Sequence, residues 1–382
     1  MRAPITTPGR CTGHEPGHER GHDPGHGLGM RLVLLGDGDS PHLLKWARAL
    51  AALPQVELWA ASSRGFAAGF DDCVPEIRRL ALRTSPRAAG GNAALLLQLP
   101  KLARWLRQAR PDWIHAHYLS SHGTLAWLAQ SVLGVQGRLV GSAWGSDILE
   151  APERSVALRW LTQRVLRACT LSTSDSQVMA ARMRELGAGE VMVFPFGLEA
   201  LPEPAQNKDD GLFFANRGLE PIYQPERVLR QFAALAGEGD RLVVANDGSL
   251  LPALQLQARE MGLQSRVQFV GRLSADAQAR WYGRARWYLS LPRSDSVAVS
   301  VLEAMAAGCV PLLSDLPANR ELVVDGVNGL IVPQGALLAL QTLQDILPRA
   351  DDVAASNRQW VQHNAMFAPC VAAFVARLEA LP

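Results

Sequence analysis

The chain is short of cysteine, of charge and of any one-sided charge. Its five cysteines, Cys11, Cys73, Cys169, Cys309 and Cys370, are odd in number and far apart, and no C-x-x-C spacing occurs. Neither a disulfide framework nor a zinc site is indicated, and a reducing, cytoplasmic setting fits best. Charged residues make up 19% of the chain and the net charge is only +2, with no basic run. That excludes the electrostatic footprint of a nucleic-acid-binding protein. A long lipid-facing run is missing as well. Residues 113–137 carry no formal charge and are long enough to span a bilayer. They include three histidines, Ser120, Ser121, Gln130 and Gln136, with Gly123 and Gly134 as breaks. A buried strand followed by a buried helix explains them better than a membrane span.

What is present is apolar and periodic. With 382 residues and 48% hydrophobic composition, the chain can bury two cores. Residues 1–29 stand apart. Gly-His recurs every four residues between Gly13 and His26 with almost nothing to bury, so this extension is expected to be disordered and outside the fold. It has no apolar core of the kind a signal peptide needs.

From Met30, strand and helix patterns alternate. Residues 31–36, 56–60, 113–116, 139–143, 171–173 and 191–194 read as strands, and 43–50, 125–133 and 158–168 as helices. Residues 201–211 carry two prolines and little to bury, which marks a linker. A second series follows, with strands at 212–215, 242–245, 267–270, 287–290, 310–313 and 330–332. Its helices fall at 226–236, 250–261 and 275–284. Continuous apolar strands separated by helices imply parallel sheets covered on both faces. The expected fold class is α/β, two doubly wound Rossmann-like domains facing a central cleft. The expected division is 30–200, a linker at 201–211, a second domain at 212–355, and helices at 356–382 packing back on the first domain.

The most informative stretch is Asp295-Ser296-Val297-Ala298-Val299-Ser300-Val301-Leu302-Glu303, then Ala304-Met305-Ala306-Ala307-Gly308. Strand patterns precede and follow it, so its loop lies at the carboxyl end of a strand, where open α/β sheets bind ligands. A carboxylate among Val, Leu, Ala and Met costs several kcal/mol unless something pairs with it. The plain alternative is a snorkelling Glu303 and an N-capping Asp295. Eight helical positions rise about 12 Å, so the two carboxylates cannot grip one small group but can touch two parts of a long ligand. The backbone N–H groups near Val297, Ala298 and Val299 would form a helix N-terminus suited to an anion.

Asp295-x7-Glu303-Ala-Met-Ala-Ala-Gly resembles the donor-binding region of family-4 (group 1) retaining glycosyltransferases of the GT-B fold. So do Asn319-Arg320-Glu321-Leu322-Val323 and 325–333, which follow it. Upstream, Ile114-His115-Ala116-His117-Tyr118 resembles the family's His-x-His strand end. Ala143-Trp144-Gly145-Ser146-Asp147 resembles a segment of its polysaccharide-synthesising members. Phe194-Pro195-Phe196-Gly197 resembles the exit of the first domain, and Phe269-Val270-Gly271-Arg272-Leu273 the strand near the nucleotide base. The resemblance implies transfer, with retention, from a nucleoside-diphosphate sugar to a hydroxyl of a glycan or lipid-linked glycan in cell-surface polysaccharide synthesis.

It also implies site residues. Asp295 would bond the donor sugar, Glu303 the ribose, and Arg217 and the helix N-terminus the diphosphate, with Val297, Ala298, Val299, Ser300, Gly271 and Arg272 as further donor contacts. The sequence departs from the family twice. Asp295 stands where Glu is usual, and the lysine expected after Arg217 is missing, with Tyr223 near its place and Arg293 the other basic residue at hand.

In the first half, Gly36-Asp37-Gly38-Asp39 reads as a tight turn whose Gly38 lets backbone approach donor phosphates or acceptor. No metal or other cofactor is expected. His117 is expected at the mouth of the cleft, with His115 turned to the other face. His42 and Asp147 are acceptor-side candidates, and Asp147 serves equally as a helix cap. The helix pattern 101–110 is basic and amphipathic. A solvated face is the favoured reading, with weak contact to the inner face of a membrane as a secondary expectation. Two rival functions stand beside transfer: a nucleotide-sugar isomerase, and a non-catalytic nucleotide-sugar-binding subunit.

Overall fold

Thirteen strands, each short, apolar and ended by a turn or a helix cap, build two parallel sheets in the computed structural model, which describes residues 29–84, 93–203 and 207–382. The first sheet runs in the order β3-β2-β1-β4-β5-β6-β7. Its strands are β1 (Met30–Gly36), β2 (Val56–Ser62), β3 (Arg79–Ala81), β4 (Trp113–His117), β5 (Arg138–Ser142), β6 (Leu171–Ser174) and β7 (Glu190–Val193). The second runs β10-β9-β8-β11-β12-β13. It comprises β8 (Asp209–Ala215), β9 (Arg241–Ala245), β10 (Val267–Gly271), β11 (Ala285–Ser290), β12 (Val310–Ser314) and β13 (Leu330–Val332). Every pairing is parallel. The order reverses between β1 and β4 in one sheet and between β8 and β11 in the other, so each sheet has one switch point for a ligand.

All the expected strands are present. Several elements were not expected, and three of them bear on the first sheet. β3 is three residues long, too short for a periodicity to show. The Gln177–Glu185 helix carries only three buried residues, so its apolar signal is thin, but Ser176 caps it by accepting from the Met179 N–H. A wide-turned π-helix, Tyr118–Gly123, replaces the loop between β4 and the Thr124–Ser131 helix. The uncharged stretch 113–137 is thus a buried strand and a helix, and no described helix is long and apolar enough to cross a membrane.

The chain forms two compact units whose limits differ from the expected ones. One runs from Pro195 to Met366; the other holds the described residues up to Phe194 together with Phe367–Pro382. The first crossing falls at 194/195 because Pro195-Phe196-Gly197 already lies against the second unit's chain. A Cβ on Gly197 would meet the Ala365 carbonyl oxygen, and the Leu198 N–H donates to that same oxygen at 2.8 Å. Residues 209–211, expected in the linker, open β8. The terminal helix pattern is broken at Ala365, giving Ala350–Asn364 and Phe367–Ala380. Val361 is buried in the second unit's core, so residues 356–366 stay with that unit. Only the last helix joins the first unit. The Gly-His extension lies outside the described residues.

Trp46 explains why that helix docks where it does. Its fully buried ring meets Phe367 and Phe374 edge-on, with centroids 5.1 and 5.4 Å away, and also contacts His115, His117 and Phe194. Replacing Trp46 by Ala should therefore destabilise the first unit by about 3–5 kcal/mol and release the Phe367–Ala380 helix to protease. Chemical denaturation followed by limited proteolysis checks both. An unchanged midpoint and an intact C-terminus would show that the indole does not hold the helix.

Candidate functional site

The site residues of the second unit follow the two strands that flank its switch point. Arg217 comes two residues after β8, and Asp295 to Glu303 come after β11. The 295–303 segment is not one helix, as the sequence reading assumed. Residues 295–298 form a loop, and the helix spans Val299–Ala306 with Ala298 as its N-cap. The 12 Å estimate therefore does not apply to the carboxylate pair. Val297 and Ala298 precede the helix, while Val299 and Ser300 occupy its first turn. Ala298 offers no side-chain oxygen to the first-turn N–H groups, which leaves that end suited to an anion. Gly308, at φ +83°, ends the turn beyond the helix, a left-handed cap that disfavours any residue with a Cβ.

Arg217 is the centre of the arrangement. Its guanidinium bonds Asp295 Oδ2 at 2.5 Å and Ser300 Oγ at 3.2 Å, and its Cζ lies 4.6 Å from the centre of the Tyr223 ring. Tyr223, which stands near the place of the missing lysine, thus supports the cation by its ring face. Arg293 supplies a backbone bond to the same turn, its N–H donating to the Ile222 carbonyl at 2.8 Å. Asp295 Oδ1 accepts from the Ser296 N–H at 3.0 Å. Burial pushes the Asp295 carboxyl above its usual range, and the Arg217 guanidinium pulls it back only in part. Arg217 Nε is buried without a partner among the described residues, so the side chain keeps one donor in hand.

Glu303 is half-buried, and its Oε2 accepts from Gln278 Nε2 at 3.1 Å and from the Tyr282 hydroxyl at 3.0 Å. Neither donor was singled out from the sequence. The available signal was their four-residue spacing, which places both on one face of the Ala275–Arg284 helix. Gly271 ends β10 at φ +68°, and the exposed Arg272 follows it. They sit at the sheet edge, two strands from β8.

In the first unit, His115 and His117 lie on β4 beside the other switch point. Residues two apart on a strand share a face, so the expectation that His115 turns away fails. The rings are 4.4 Å apart and both are buried. Trp144 Nε1 donates to His117 Nδ1 at 3.1 Å, which fixes the neutral tautomer with its proton on Nε2. That Nε2 has no partner among the described residues. His115 Nε2 bonds Ser142 Oγ at 2.6 Å. Half-exposed His42 packs on Trp144, ring centres 4.9 Å apart.

Asp147 acts as a clamp. It is buried, and its two oxygens accept the N–H groups of Leu119 and Trp144, each at 2.9 Å. It ties the exit of β4 to the exit of β5, and Tyr118 is held at the unfavourable φ of +63° beside it. Gly38 also has a local explanation. Its N–H donates to Ser62 Oγ at 2.8 Å, and a Cβ there would meet the Gly65 carbonyl and the Phe66 ring. The close approach at Gly38 is thus to its own chain, where the sequence reading had placed a ligand. Among the described residues no three His, Cys, Asp or Glu side chains gather as a metal would require.

Residues 199–347 match the family model described as glycosyl transferases group 1, and residues 31–176 match the glycosyl transferase 4-like model. The chain belongs to the group 1 glycosyltransferases. The GDP-mannose:cellobiosyl-diphosphopolyprenol alpha-mannosyltransferase of Komagataeibacter xylinus is 30% identical to this glycosyltransferase over 32% of its chain and 30% of that relative. A D-inositol 3-phosphate glycosyltransferase of Streptomyces scabiei is 26% identical over 77% of this chain and 75% of the relative. Several of the curated relatives match over only about a quarter to a third of their length. The structure of Anabaena Alr3699/HepE in complex with UDP superposes with a TM-score of 0.71 at 17% identity, covering 92% of this chain and all of that one. The two sheets are those of the GT-B fold.

Two expectations follow for this glycosyltransferase. Arg217→Lys keeps the charge but loses the paired bonds and the ring contact, so nucleotide affinity should fall about tenfold or more. Isothermal calorimetry with UDP and GDP reads it, and wild-type affinity in the variant would remove Arg217 from the site. The second concerns pH. Burial lowers the imidazole of His115 to about 3, and burial followed by the neighbouring histidines holds His117 well below its ordinary 6.5. The unfolded chain then takes up protons below about pH 6.5 that the folded chain refuses. Stability is full above that pH and should fall by about 1.4 kcal/mol per pH unit per histidine as the pH drops towards 4. Denaturation at pH 7.5, 5.5 and 4.5 checks this, and His115→Gln should flatten the slope.

Proposed function

We propose that this glycosyltransferase moves a sugar from a nucleoside-diphosphate sugar to a hydroxyl of a glycan or lipid-linked glycan, with retention of anomeric configuration, in cell-surface polysaccharide synthesis. One observation carries the reading. A guanidinium four-fifths shielded from water, a carboxylate and the first turn of an uncapped helix meet at the carboxyl ends of β8 and β11, and a second carboxylate stands one turn further along that helix. An elongated ligand with an anionic middle and hydroxyl-bearing ends suits that set. The diphosphate would take the Val299 and Ser300 amides and Arg217, Glu303 the ribose hydroxyls, and Asp295 the sugar.

Chemistry follows from the charges. As the glycosidic bond to the diphosphate breaks, negative charge grows on the leaving oxygen, and Arg217 with the helix end offsets it. Asp295 is tied to Arg217 and to its own Ser296 amide, so it positions the sugar and is no free nucleophile. No metal is invoked. His117 Nε2–H and His42 are the proposed acceptor-side contacts, with Asp147 placing Trp144 beside them. The relative with a mannosyl donor and a lipid-linked acceptor, and the neighbour that holds UDP, support this class of donor and acceptor. A cytoplasmic protein with weak peripheral membrane contact through the Leu99–Ala109 helix fits the same reading.

Thermal-shift screening against UDP-, GDP- and ADP-sugars should show one stabilising donor, and the Glu303→Ala variant should lose at least tenfold in affinity for it. Calorimetry that finds undiminished binding in that variant would defeat the assignment of Glu303. Proton NMR of the product formed with that donor should show the donor's own anomeric configuration, and an inverted product would refute retention.

A further inference from the structure

We propose that Tyr282 is the positioning residue of the donor site: through a hydrogen-bonded chain in which Tyr288 donates to Asn216, Asn216 to Tyr282 and Tyr282 to Glu303, it fixes the carboxylate that receives the nucleotide. The inference rests on the donor-site reading above. Tyr288 lies on β11, Asn216 directly after β8, Tyr282 on the Ala275–Arg284 helix and Glu303 on the Val299–Ala306 helix. The first three are buried. They are therefore inside the second unit, and side-chain hydrogen bonds join the segments that carry them.

The direction of each bond follows from valence. The Tyr288 hydroxyl lies 2.7 Å from Asn216 Oδ1, and Asn216 Nδ2 lies 2.7 Å from the Tyr282 oxygen. A carbonyl oxygen only accepts and an amide nitrogen only donates, so Tyr288 spends its proton on Asn216, and Tyr282 accepts from Asn216 with its own proton left to give. Two acceptors face that proton: Glu303 Oε2 at 3.0 Å and the Ser300 carbonyl at 3.1 Å. An ionised carboxylate is the stronger acceptor, so the proton goes to Glu303.

Gln278, one turn earlier on the same helix, donates to the same oxygen. Gln278 is a flexible amide, whereas Tyr282 is a ring packed edge-on against Phe214 with centroids 5.1 Å apart and tilted against Tyr288 at 5.7 Å. The rigid donor sets the carboxylate and the flexible one follows it. The same phenol contacts the Ser300 carbonyl, and Ser300 Oγ accepts from Arg217. One side chain thus steadies both the carboxylate and the residue that holds the guanidinium.

The test is a pair of double-mutant cycles read by calorimetry with UDP, GDP and ADP as probes and by donor steady-state kinetics. Tyr282→Phe keeps the ring and removes the proton. It should weaken nucleotide binding about tenfold and raise donor KM by a similar factor, with kcat changed less than threefold. In a Glu303→Gln background the same change should cost less than twofold. Asn216→Asp, which offers acceptors to both phenols and takes the Tyr282 proton, should behave in the same way and serves if Tyr282→Phe melts at a lower temperature. Wild-type affinity in both variants, or equal losses with and without the Glu303 carboxylate, would overturn the inference. If the unaltered protein binds none of UDP, GDP and ADP, the donor-site reading falls and this inference with it.

Discussion

A guanidinium that is four-fifths shielded from water has to be answered by its surroundings, and the answer given to Arg217 organises the second unit. Asp295 supplies the opposite charge, Ser300 a hydroxyl and Tyr223 a ring face. These groups come from β8, from the loop and helix after β11, and from a short turn before the Pro225–Leu235 helix. Removing any one leaves a buried cation under-compensated, so the segments that carry them are held in register by a charge as well as by apolar packing.

The placement of that cation is a consequence of topology. In each sheet the chain winds outward one way and then the other, and the two strands at the reversal expose their carboxyl ends without a crossing helix between them. Arg217 and Asp295 flank that gap in one sheet, and His117 flanks it in the other. The same physical rule thus places an arginine-bearing, amide-lined end in one unit and a neutral, aromatic, histidine-bearing end in the other. A phosphate suits the first and a sugar hydroxyl the second.

Much of this was legible before any coordinates. Short, largely apolar runs bounded by polar residues marked twelve of the thirteen strands, because a strand inside a covered parallel sheet buries most of its side chains. Asp295 and Glu303 stood out as carboxylates beside apolar residues, whose burial is costly, and Arg217 through the resemblance to the group 1 glycosyltransferases. What remained hidden had weak local signal. β3 is three residues long, and the π-helix after β4 depends on Asp147 gripping an amide 28 residues away. Tyr282, Asn216 and Tyr288 read as ordinary residues of a helix, a loop and a strand, since nothing in their local pattern shows that three polar groups meet. The helix assumed for 295–298 failed for a related reason: Val297 and Ala298 are as apolar as the helix that follows, so composition does not mark its first residue.

The crossing at 366/367 has a consequence for how the protein is made. Trp46 is laid down early and covered by Phe367 and Phe374, which are synthesised after the whole of the second unit. Until then the first unit carries an open apolar face while the second, contiguous in sequence from Pro195, already has all its parts. Synthesis therefore favours the later unit maturing first, and a chain truncated near its carboxyl end would present that unfinished indole-lined face to chaperones and proteases.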